Sequence, residues 1–137
     1  MNQYGISARK RSSMLNKNND DPRSNIYEEQ RPWGRFRRFT LNQFSTVKLI
    51  TVNPGQVLSL QFHNYRDELW VVLTPGLRIT VGEKTWQPKP YEEIYIPSRT
   101  HHRVEGIGMN PSYWFEISLG KFDEKDIVRL DDKYGRK

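Results

Sequence analysis

Short runs in which apolar and polar side chains alternate recur along most of the chain, and each is closed by a turn signal. FSTVKLITV at 44–52 is β-branched and alternating, and Asn53, Pro54 and Gly55 end it. SLQFHNYRDELW at 59–70 continues to a second turn at Pro75 and Gly76, and the two runs read as sequential antiparallel strands. LRITVGEKTW carries a hairpin signal around Gly82, Glu83 and Lys84. YEEIYIP, VEGIG and SYWFEISLG supply three more strands. Upstream, IYEEQRPWGRFRRFTL at 26–41 holds a Pro-Trp-Gly turn between two extended pieces. Strands at this spacing, with no long helical period, predict a small all-β sandwich or barrel. The final stretch, 122–137, has Asp123 at an N-cap position with Asp126 three residues on, which leaves one short helix or an extended arm.

The run at 59–70 is where the pattern becomes chemical. With period two, His63, Tyr65, Leu69, Val71 and Leu73 share one face, and Phe62, Asn64, Arg66, Glu68 and Trp70 share the other. A polar cluster therefore interrupts an apolar strand, and burying such groups is costly unless each finds a partner. A pocket holding a ligand, an ion or water is the direct reading, and the second histidine-bearing stretch, IPSRTHHR at 96–103, is placed to complete it. Trp33, Trp70 and Trp114 are expected in the core.

Composition narrows the classes. The 137 residues are enough for one domain with a sizeable core, and four Trp, seven Tyr and six Phe offset a hydrophobic content of only 35%. With no membrane-length apolar run and no apolar segment near the start, the expectation is a cytoplasmic protein. The absence of cysteine excludes disulfides, thiolate nucleophiles and cysteine-ligated zinc, leaving His, Asp, Glu and Tyr to carry chemistry. The net charge is +6, but Arg9, Lys10, Arg11, Lys17 and Arg23 against Asp20 and Asp21 place +3 of it in residues 1–25. That segment lacks an apolar period and reads as a disordered basic tail, so the folded domain is expected over 26–137. Arg31, Arg35, Arg37 and Arg38 alternate with Trp33, Phe36 and Phe39; a half-exposed strand accounts for this better than a base-stacking patch, so nucleic acid is not the expected partner.

Several motifs, in order and at similar spacing, carry a family resemblance. RPWG at 31–34, VKLITVNPGQVLSLQFH at 47–63, RDELWVV at 66–72, YIPSRTHHR at 95–103, FEISLG at 115–120 and DIVRLDDKYGR at 126–136 resemble the cupin domain of type II phosphomannose isomerases. The resemblance implies a double-stranded β-helix, or jelly roll, with a pocket in the mouth of the barrel. That family fuses this domain behind a nucleotidyltransferase with a Gly-rich loop, and nothing in this sequence resembles the loop, so a free-standing isomerase-type cupin is expected. Metal ligands of cupins map to positions 63, 65, 69 and 102, where this chain has His63, Tyr65, Leu69 and His102. The implied ligand set is therefore His63 and His102 joined by Tyr65, Glu68 or Glu116, a site for zinc or a similar divalent metal that is depleted relative to the family. Arg99 and Ser118 also depart from the family, which prefers Gly and often has Gln there.

What the resemblance implies about function follows from those positions. Mannose 6-phosphate and fructose 6-phosphate would interconvert through an enediol, with Glu68 or His102 as base and Gln61, Lys48, Arg66 and Arg103 binding the sugar phosphate. The second reading is a cupin that binds a sugar or sugar phosphate without turnover, which Tyr65 and Leu69 favour. Nucleic-acid binding through the basic tail ranks third. A homodimer is expected, since an exposed sheet edge pairs readily with a second copy.

Overall fold

The computed structural model describes residues 21–137, so most of the expected tail, residues 1–20, lies outside the described residues. The described residues up to Gln43 belong to one compact unit and Phe44–Lys137 form another. The first unit opens with a 3-10 helix, Pro22–Asn25, capped by the Asp21 side chain, which accepts from the Arg23 N–H. It continues with an antiparallel hairpin of β1 (Tyr27–Arg31) and β2 (Gly34–Arg38). Two of its arginines are held within the hairpin: Arg31 pairs with Glu29 at 2.8 Å and lies over Phe36, and Arg38 lies over Tyr27. The strand reading of this basic, aromatic stretch therefore holds. Trp33 is a correction, because it sits at the hairpin turn and is 72% exposed rather than in the core.

The second unit contains β3 (Ser45–Val52), β4 (Leu60–Phe62), β5 (Asp67–Val72), β6 (Leu77–Val81), β7 (Lys84–Trp86), β8 (Glu93–Ile96), β9 (His102–Gly106), β10 (Ser112–Leu119) and β11 (Val128–Asp131). They form two sheets, in the orders β3-β10-β5-β8 and β11-β4-β9-β6-β7. Every pairing is antiparallel, giving the cupin jelly roll. Only β6 and β7 pair as a sequential hairpin here, around Gly82 and Glu83. Strand β3 instead pairs with β10, placing Ser112 opposite Val52 and Leu119 opposite Ser45, so the expected sequential pairing is replaced by crossovers between sheets. The C-terminal stretch is the arm rather than the helix, with Val128 opposite Phe62 on β4.

The core lies between the sheets and joins Val52, Trp70, Val72, Leu77, Ile79, Ile94, Ile96, Val104 and Trp114. The rings of Trp70 and Trp114 are 5.6 Å apart between centroids and tilted by 37°. One glycine is required by this packing. Gly76 has φ +97, and a Cβ there would lie 2.5 Å from Ser112 Oγ, which donates to Pro75 O. Among the described residues, no helix is long and apolar enough to cross a membrane.

The run at 59–70 is not one strand. It breaks after Phe62, turns through residues 63–66, and resumes at Asp67 in the other sheet. That break resets the side-chain alternation and creates the site.

Candidate metal centre

His63 stands at the start of the turn, Glu68 on β5 and His102 at the start of β9. All three are buried, and a ligand atom from each lies within 4.8 Å of the others. The chain thus brings together two imidazoles and a carboxylate, the donor set of one class of catalytic zinc site. His63 and His102 are the expected pair, and of Tyr65, Glu68 and Glu116 it is Glu68 that joins them. The period-two reading put His63 and Glu68 on opposite faces, but the intervening turn lets His63 Nε2 approach Glu68 Oε1 to 2.8 Å.

Both imidazoles are oriented the same way. His63 Nδ1 donates to the carbonyl of Asp126 at 2.7 Å, and His102 Nδ1 donates to the carbonyl of Thr100 at 2.9 Å. A carbonyl can only accept, so each Nδ1 carries hydrogen and each Nε2 faces the cluster. This is how ligating histidines are commonly held. His102 Nε2 is buried without a hydrogen-bond partner, an arrangement that burial makes costly and that a cation would relieve. Burial pushes the His102 imidazole below its ordinary value, against the raising effect of Glu68, so its lone pair is available. The donor set therefore fits a divalent cation, which would displace any proton shared between His63 and Glu68.

Two carboxyls of opposite character share this interior. Burial raises the Glu68 carboxyl, but the hydrogen bond from His63, the charges of His102 and His63 and the Trp70 indole outweigh it and hold it at about 2. Trp70 Nε1 donates to Glu68 Oε2 at 2.8 Å, linking the core to the site. Glu116, on the inward face of β10, is raised to about 8 by burial first and then by the charge and hydrogen bond of Glu68. Ser118, next on that face and opposite Glu68, is buried with its Oγ unpartnered.

The other expected site residues divide. Arg66 is buried and committed to the protein: Nε lies 3.3 Å from Glu68 Oε1, Nη2 lies 3.3 Å from His63 Nε2, and Nη1 donates to the Asp123 and Asp126 carbonyls. Lys48 pairs with Glu124 at 2.9 Å, and the Lys48 and Arg66 cations each lie 4.5 Å from the Phe122 ring centroid. Gln61 lies opposite His102 across β4 and β9 and accepts from Ser59 Oγ. Arg103 is a correction, because alternation along β9 turns it away from His102, and it bonds Leu58 O and Asp131 instead. Tyr65 is a second correction as a ligand. It is 87% exposed and lines a surface cleft of about 440 Å³ with Asn64, Lys121 and Lys125. His101 is exposed and stacks on Phe62.

Three contributors were not legible from strand alternation. Asp126 and Thr100 act through backbone carbonyls, which any residue possesses, and Phe122 lies outside every strand. Arg99 adopts φ 65 while its N–H donates to His63 O at 2.6 Å. This left-handed conformation suits the glycine that the resemblance leads one to expect there.

Comparison with known proteins agrees with this fold. A family model described as Mannose-6-phosphate isomerase C-terminal matches residues 17–132. The mannose-1-phosphate guanylyltransferase RfbM of Salmonella typhimurium is 35% identical over 122 residues, covering 88% of this chain and 26% of that protein. The xanthan biosynthesis protein XanB of Xanthomonas campestris is 39% identical over 107 residues, covering 77% of this chain and 23% of that protein. The chain thus spans about a quarter of the length of these relatives. A solved structure of the capsular polysaccharide assembling protein CapF from Staphylococcus aureus shares the fold, with a TM-score of 0.59 and 17% identity over 77% of this chain and 32% of that one.

Proposed function

Because the chain belongs to the Mannose-6-phosphate isomerase C-terminal family, we propose that it interconverts an aldose phosphate and a ketose phosphate, with mannose 6-phosphate and fructose 6-phosphate as the first pair to try. The observation that carries this reading is the convergence of His63, Glu68 and His102, with both imidazoles locked by backbone carbonyls. These three residues would hold a divalent cation, which when bound polarises the sugar carbonyl. Glu68 and His102, expected as bases, then serve as its holders.

Proton transfer falls to Glu116, the carboxyl hydrogen-bonded to Glu68. In its ionised form it removes the C2 proton of the aldose, giving an enediol as O1 gains a proton. The proton returns to C1 as O2 loses its own, leaving the ketone. A positioned base typically contributes about 100 to 10,000-fold. Since Glu116 is held near about 8, the rate should rise with pH towards that value. Lys48, at the edge of this interior, is the cation to meet the phosphate, exchanging its exposed partner Glu124 for it, because Arg66 is buried and used within the protein.

Tyr65 and Leu69, standing where ligand histidines are expected, favour a second reading, binding of a sugar phosphate without turnover. Incubation with mannose 6-phosphate and zinc, cobalt, manganese or magnesium separates the two. Formation of fructose 6-phosphate supports the isomerase, and its absence with every metal overturns it. Calorimetric titration with the same sugar then tests binding alone. A homodimer remains part of the proposal, with β3 at the edge of its sheet and Val47 and Leu49 exposed. Sedimentation as a monomer would remove it.

A further inference from the structure

We propose that Asp126 is a positioning residue that holds His63 with Nε2 directed into the cluster; the cation-binding consequence rests on the function proposed above. The break between β4 and β5 leaves the N–H groups of Asn64 and Tyr65 outside any strand pairing. The Asp126 carboxylate accepts both, Oδ1 from Asn64 N at 2.8 Å and Oδ2 from Tyr65 N at 3.0 Å. One side chain thus ties two successive donors of the turn to a segment about sixty residues away in sequence.

The same residue offers its backbone carbonyl to His63 Nδ1 at 2.7 Å and to Arg66 Nη1 at 3.4 Å. Any residue has a carbonyl, but the carboxylate decides where this one sits. Its own N–H donates to Asp123 O at 3.0 Å, and the pairing of Val128 with Phe62 anchors the chain two residues further on. Asp126 is therefore fixed along its own segment and clamps the turn from there. Without the clamp, His63 loses its fixed Nδ1 acceptor and is free to rotate, which turns Nε2 away from the cluster.

The test uses the full chain labelled with nitrogen-15 at histidine, in wild type, Asp126→Ala and Asp126→Asn. Imidazole spectra report which ring nitrogen carries hydrogen, and cobalt titration reports cation affinity. His102, held by Thr100 O, is the internal control. The expected result for Asp126→Ala is loss of the hydrogen-bonded Nδ1–H form of His63, unchanged His102 signals, and cobalt affinity about 10 to 100-fold weaker. Asp126→Asn keeps one acceptor and should fall between, which preserves the test if the alanine variant does not fold. Unchanged His63 signals in either folded variant, or equal changes at His63 and His102, would overturn the proposal. A wild type that binds no cobalt would defeat the metal reading, while the His63 signals would still decide the role of Asp126.

Discussion

At one end of the barrel interior Val72, Leu77, Ile79, Val104 and Trp114 are 0% exposed, and at the other His63, Glu68, His102, Glu116 and Ser118 are exposed by only 1% to 8%. The two ends share strands. On β5 the inward positions run from Glu68 through Trp70 to Val72, and on β10 they run from Trp114 through Glu116 to Ser118. Burial at the apolar end is favourable for its hydrocarbon surface, at about 25 cal/mol per Å² removed from water, with Trp114 Nε1 the one atom of these residues left without a partner. Equal burial at the polar end is costly wherever a partner is missing, as at His102 Nε2 and Ser118 Oγ. Depth alone therefore does not distinguish core from site. The distinction is chemical: the polar end gathers groups whose ligand atoms converge, and it leaves His102 Nε2 and Ser118 Oγ without a partner.

Breaking the apolar end should have the largest effect on folding. Trp114→Ala removes a fully buried ring and should cost about 3–5 kcal/mol, read as a lower midpoint in urea denaturation.

The polar end should show itself through pH. Glu116 is raised from its ordinary 4.5 to about 8, so between those values the native state keeps a proton that the unfolded chain has released. Its contribution is fully present below about 4.5 and is lost as pH rises through about 8, with a slope near 1.4 kcal/mol per pH unit in the absence of metal. Glu116→Gln should flatten that slope. Denaturation curves at several pH values check it, and an unchanged slope would contradict a Glu116 carboxyl raised first by burial and then by Glu68.

The smallest effect belongs at the rim. Lys48 and Glu124 form a pair with 36% and 75% side-chain exposure, so Glu124→Gln should change stability by less than about 1 kcal/mol. A thermal melt is sufficient to check it.

Much of this contrast was legible in the sequence. Alternation and turn residues located the strands, and His63, His102, Glu68 and Glu116 stood out before their positions were known. What alternation could not deliver was the turn at residues 63–66. Asn64, Tyr65 and Arg66 continue a polar pattern whether the chain runs straight or bends, and the acceptor for the two N–H groups of the bend, Asp126, comes from the far end of the chain. The same turn leaves Tyr65 in solvent and seats Glu68 beside His63. Strand order was equally hidden, because the pairing of β3 with β10 depends on contacts distant in sequence.

The central claim is that the polar end is built for a cation, and metal content of the untagged protein tests it most directly. Elemental analysis after incubation with zinc and removal of the excess should find one equivalent in wild type and little in His63→Ala or His102→Ala. Absence of metal from the wild type, or equal metal in all three proteins, would contradict the account.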